Sequence, residues 1–128
     1  MRKGGVFFWI DADVVTRSKC DEKLLKKYIE GTFLSYMGRQ GFNVCTSFIG
    51  FNEHPDRERF CNAYEDIYLS KRVFEIPEWH DGFVFDWVRK ETGVASRNLS
   101  PDAKGICNVF DKVIPFAHHK KGNLKMEK

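Results

Sequence analysis

The chain has 128 residues, of which 42% are apolar and 15% aromatic, with twelve Phe and three Trp. That composition excludes a disordered, collagen-like or coiled-coil chain and supplies enough apolar side chain for one core. Lys and Arg total 21 against 18 Asp and Glu, a net charge of +3. The segment His118–Lys128 holds four lysines against one glutamate and accounts for all of that excess, so the rest of the chain is neutral and not a basic surface.

No apolar run approaches the ~18 residues of a membrane span. Val6–Ile10 is closed by Asp11 and is too short for the core of a signal peptide. The expectation is a cytoplasmic protein with no membrane partner. The four cysteines, Cys20, Cys45, Cys61 and Cys107, form no CxxC pair. This speaks against a structural zinc site and for reduced thiols in that compartment.

In chain order, VFFWI at Val6–Ile10 reads as a strand buried on both faces. Ser18 and Asp21 resemble a capping box, and Leu24, Leu25, Tyr28, Ile29, Phe33, Tyr36 and Met37 follow at helical spacing, predicting a helix over about Cys20–Arg39. Phe42–Ile49 is rich in β-formers and predicts a second strand. Pro55 opens a second helix with Phe60, Cys61, Tyr64, Ile67 and Tyr68 on one face. Arg72–Ile76 predicts a short strand stopped by Pro77. Phe83–Val88 predicts another, with part of a helix as the alternative, and Glu91–Ser100 a loop. Ser100-Pro101 predicts a helix start, with Ala103, Ile106, Cys107, Phe110, Val113 and Ile114 on one face and Pro115 at its end. Strands alternating with helices predict a three-layer α/β sandwich with a mainly parallel sheet over residues 1–117, followed by a flexible basic tail, 118–128.

Ligands of such sheets bind at the carboxyl ends of the strands, which is where Asp11-Ala12-Asp13 falls. Carboxylates beside a hydrophobic strand are costly to bury without a cation or hydrogen bonds, and a hard cation such as Mg²⁺ takes oxygen ligands of this kind. The structural alternative is that Asp13 caps a turn while Asp11 accepts backbone N–H groups. Trp79-His80-Asp81 reads as a turn, with a His base beside an Asp as the functional alternative. Trp9, Phe83, Phe85 and Trp87 read as core, with base stacking as the alternative.

Phe7-Phe8-Trp9-Ile10-Asp11-Ala12-Asp13 resembles the first motif of NYN-type, PIN-like ribonucleases, which begin with a hydrophobic strand and an IDADN-like stretch. Gly41-Phe42-Asn43-Val44, the helix carrying Arg57 and Arg59, and Lys104-Gly105-Ile106 extend the resemblance over roughly residues 5–114. It implies a PIN/Rossmann-like fold and a ribonuclease in which Asp11 and Asp13 are catalytic. Asp11, Asp13 and Asp102 would hold Mg²⁺ or Mn²⁺, and the metal would activate water against a backbone phosphate. Lys104, with Lys120, Lys121 and Lys125 of the tail, would hold RNA. Val14 stands where the family has Asn, Cys107 where it has its second acid, and no SGDxD-like strand follows. These departures leave an inactive version open.

Asp11-x-Asp13-x-Val15 also resembles the first motif of haloacid-dehalogenase-like phosphatases. That resemblance implies Asp11 as nucleophile, Thr46 or Ser47 as the second motif, Lys71 as the third and Asp81 or Asp86 at a metal. A third reading is a non-enzymatic, phage-type regulatory module binding protein or nucleic acid, with homodimerisation also open.

Overall fold

The computed structural model describes residues 5–12, 14–104 and 113–118. Its elements are β1 (Phe7–Ile10), β2 (Val14–Thr16), α1 (Glu22–Ile29), β3 (Leu34–Arg39), β4 (Phe42–Phe51), α2 (Asp56–Leu69), a 3-10 turn (Arg72–Phe74), α3 (Asp81–Thr92), β5 (Ser96–Asn98) and β6 (Phe116–His118). Four strands form one sheet in the order β1-β4-β3-β5. The pairs β1/β4 and β4/β3 are antiparallel, and only β3/β5 is parallel. β2 and β6 pair separately as an antiparallel ribbon.

The sheet is therefore mixed and mostly antiparallel, which corrects the expected PIN/Rossmann-like sandwich with a mainly parallel sheet. The difference starts at Gly31. Its φ of +76° is reached cheaply only by glycine, and α1 stops at Ile29. Phe33, Tyr36 and Met37 keep the helical spacing, but every residue from Thr32 to Gly38 is buried, the signature of a central strand covered on both faces. Gly41, at φ +78°, then turns β3 directly into β4. A hairpin replaces the helical crossover that parallel strands require.

Four further elements differ. Arg72–Phe74 is a 3-10 turn, not a strand. Phe83–Val88 lies inside α3, where Asp86 pairs with Arg89 and Lys90 at i+3 and i+4 and the Gly93 N–H donates to the Arg89 carbonyl. The expected loop over Glu91–Ser100 contains β5. At the expected helix start, Pro101 and Asp102 form a turn and Lys104 bridges to Gln40 in parallel, while Val113 and Ile114 are not helical. Residues 105–112 of that expected helix lie outside the described residues. His118, assigned to the tail, pairs with Val14. Cys45 is disulfide-bonded whereas Cys20 and Cys61 are free thiols, so the expectation of reduced cysteines does not hold at Cys45.

The sheet is packed on both faces. On one, Phe33, Val44 and Ile49 meet Phe60 and Ile67 of α2 and Val84, Phe85 and Val88 of α3. On the other, Met37, Cys45 and Phe48 meet Phe116, with Leu25 and Tyr28 of α1 and Phe8 of β1 against them. β1 shows the alternation directly: Phe8 packs on Phe48, while Phe7 stacks on Phe51 across the sheet's other face.

One carboxylate ties the helical layer to the sheet. Asp56, at the start of α2, accepts the Ala95 N–H at 2.9 Å, beside Arg59 Nη2 at 3.1 Å. The Ala95 hydrogen bond, with Arg59 and His54 beside it, holds the carboxyl below its ordinary value. A lowered native pKa gives stability that is present above the unfolded value, about 4, and is lost as pH falls through the native one. Asp56→Asn is expected to be less stable than wild type at pH 7, with the gap narrowing as pH falls below about 4. Urea midpoints across that range check it.

Candidate functional site

β1 is an edge strand, and two depressions meet at its carboxyl end. The first is a groove of about 670 Å³ between β1 and α2. Phe7, Trp9 and Phe51 form its sheet wall, and Phe60, Tyr64, Tyr68 and Leu69 its helix wall. On α2 the rings sit four residues apart, Phe60–Tyr64 at 5.7 Å and Tyr64–Tyr68 at 6.0 Å between centroids. The groove exists because α2 packs against α3 and the 3-10 turn and leaves the outer rings of β1 uncovered. Phe7 remains 55% exposed, Trp9 58% and Leu69 73%. Large apolar side chains gathered like this mark binding surfaces more often than chance exposure.

The charged residues lining this groove are Asp11, Glu65 and Asp81, and among its described lining residues there is no Lys, Arg or His. Burial, and then the neighbouring Tyr68 and Asp81, push the Tyr64 phenol up, so it stays a neutral hydrogen-bonding group. The groove thus presents π-faces, a neutral hydroxyl and carboxylates.

The second depression is a polar cleft of about 470 Å³ on the other side of Asp11. Arg39, Thr46, Ser47, Trp79, His80 and Asp81 line it with Asp11. Asp11 is held firmly. Its Oδ1 accepts the Trp9 indole N–H at 3.1 Å and its Oδ2 the Ser47 hydroxyl at 2.9 Å. Its own N–H donates to the Ser47 carbonyl at 3.0 Å, and its carbonyl accepts the Val14 N–H at 3.1 Å. Arg39 donates from Nε to the Asn43 carbonyl at 3.0 Å, and burial lowers its pKa without removing its charge. His80 lies at the start of α3 and contacts Glu78. Trp79 is exposed.

Of the residues that the nuclease resemblance assigns to a metal, the two that are described, Asp11 and Asp102, are not brought together. Asp11 follows one edge strand and Asp102 follows the opposite one, with β4 and β3 between them. Asp13 lies outside the described residues, and both oxygens of Asp11 already accept hydrogen bonds. Among the described residues no group of three or more His, Cys, Asp or Glu is arranged to hold a metal ion. Lys104 is exposed and bridges to Gln40, and Lys120, Lys121 and Lys125 lie outside the described residues. Of the phosphatase-like set, Asp11, Thr46, Ser47 and Asp81 share the cleft. Lys71 does not line it, and Asp86 is buried against Arg89.

No protein-family model, curated protein or solved structure matches this chain. No helix among the described residues is long and apolar enough to cross a membrane.

Sequence reasoning passed over the groove. It assigned Trp9 to the core, because an edge strand and a central strand of the same composition read alike. The width of the apolar arc on α2 was the available signal. Phe60 and Ile67 suffice for its buried side, and Tyr64, Tyr68 and Leu69 extend beyond it.

Proposed function

We propose that this chain is a non-enzymatic binding module whose aromatic groove takes an apolar protein segment carrying positive charge. One observation carries the reading: a groove walled by aromatic rings whose charged lining residues are all carboxylates. Ring faces attract cations, and carboxylates add a charge-assisted partner. The same lining repels phosphate, which disfavours RNA as its occupant. The volume falls in the range of specific ligand pockets, and rigid Trp and Tyr side chains are the usual energetic centres of such contacts.

Selection of a random displayed decapeptide library on the immobilised protein tests this. Recovered sequences are expected to be enriched in apolar residues together with Lys and Arg. Trp9→Ala is expected to weaken their binding at least tenfold, and Glu65→Lys severalfold, with folding unchanged because both side chains are exposed. Enrichment no greater than on Trp9→Ala, or enrichment of acidic sequences, would overturn the reading.

A second reading, hydrolysis of a phosphate ester at Asp11, is favoured by Arg39, Thr46, Ser47 and Asp81 sharing its cleft. Turnover of p-nitrophenyl phosphate that disappears in Asp11→Asn would select it, and no turnover by the wild type would sink it.

A further inference from the structure

The outer edge of β1 is a template for another strand. Asp11 donates its N–H to the Ser47 carbonyl, and the register pairs Trp9 with Ile49 and Phe7 with Phe51. Antiparallel pairing alternates, so Phe7, Trp9 and Asp11 direct their backbone groups at β4. Val6, Phe8 and Ile10 therefore turn theirs outward. Among the described residues none of these outward groups has a hydrogen-bond partner, and β1 pairs with β4 alone.

Edge strands are usually blunted by a charge, a proline or a bulge. β1 reads FFWI in continuous register and has none of these. The groove lies on the same side of the sheet as Phe7 and Trp9, directly beside that open edge. A strand added there would send every second side chain into the groove.

We infer that the partner segment binds as an extended strand along β1, its backbone pairing with Val6, Phe8 and Ile10. Alternate side chains lie against Phe7 and Trp9, and a Lys or Arg on that face meets Asp11 and Asp81 at the strand's carboxyl end. This inference rests on the groove being the binding site and adds the mode of binding. It belongs to the strand-addition class of peptide recognition, in which main-chain hydrogen bonds supply affinity and alternate pockets supply selectivity.

Amide hydrogen exchange on the unmodified protein tests it. The probe is the capped heptapeptide Arg-Thr-Val-Thr-Val-Thr-Arg, which places Arg, Val, Val and Arg on one face in either direction. Without peptide, the Phe8 and Ile10 amides are expected to exchange fast and Trp9 slowly. With millimolar peptide, Phe8 and Ile10 are expected to slow at least tenfold, and a Glu-for-Arg peptide to have little effect. Ile10→Pro removes one outward donor and spares the ladder to β4. It is expected to bind the probe at least tenfold more weakly than Ile10→Ala.

Peptide binding that is lost in Trp9→Ala but leaves the Phe8 and Ile10 amides unprotected would overturn strand addition and leave the groove reading standing. No binding at millimolar peptide would overturn both. Protection without peptide that grows with protein concentration, together with a dimer in sedimentation, would make a second copy the occupant and overturn the heterologous one.

Discussion

Phe33→Ala is expected to cost about 3–5 kcal/mol of stability at 25 °C. Phe33 is fully buried one residue before β3. Its ring meets Phe51 edge-on at 6.3 Å between centroids and Phe60 at 5.6 Å, so one side chain joins the hairpin to α2. Its removal deletes apolar burial and leaves a cavity that these two aromatic neighbours cannot close without moving the helix. Domains of this size have about 5–15 kcal/mol in total, so the loss is a large share. Phe33→Leu keeps most of the volume and is expected to cost under half as much. Urea midpoints for the pair, with unchanged slopes, check both. A loss under 1 kcal/mol in Phe33→Ala would mean that the core does not run through this ring.

Gly50→Ala is the second large effect, and it acts on the groove. A Cβ at Gly50 would stand 2.4 Å from Ser35 Oγ and 2.5 Å from Phe8 Cε1. Gly50 pairs with Phe8 on one side and Ser35 on the other, so the clash falls at the centre of three strands. Ser35 is fully buried, so its hydroxyl has little room to rotate away. The Phe8 ring must shift instead, and β1 shifts with it. Overpacking of this kind costs about 1–3 kcal/mol. Because Phe7 and Trp9 travel with β1, peptide affinity is expected to fall with stability, whereas Trp9→Ala lowers affinity alone. Melting temperature and probe affinity measured on the same samples separate the two.

Where the chain's residues carry their own local instruction, the sequence is legible. VFFWI followed by Asp is β1 and its end, but the strand is an exposed edge and not buried on both faces as expected. Pro55 opens α2 one residue early. The β-formers after Gly41 give β4, which runs two residues further than Ile49. Asp11 is found at the end of a strand in a cleft, as its position beside an apolar run implies. Its oxygens, however, are satisfied by Trp9 and Ser47, and Ser47 is 36 residues away, a partner that no local pattern names.

The remainder depended on long-range contact. Thr32–Gly38 could be a helix face or a buried strand from spacing alone, and burial from both sides, with Gly31 breaking the helix, makes it a strand. Phe83–Val88 alternates like a strand, but its ion pairs and packing on the sheet suit a helix. That β1 lies at an edge, with Phe7 and Trp9 open to solvent beside α2, is a property of strand order. Composition and periodicity tell which residues avoid water. They do not tell which of them find a partner within the chain, because that depends on where distant segments pack, and the candidate site is built from side chains that found none.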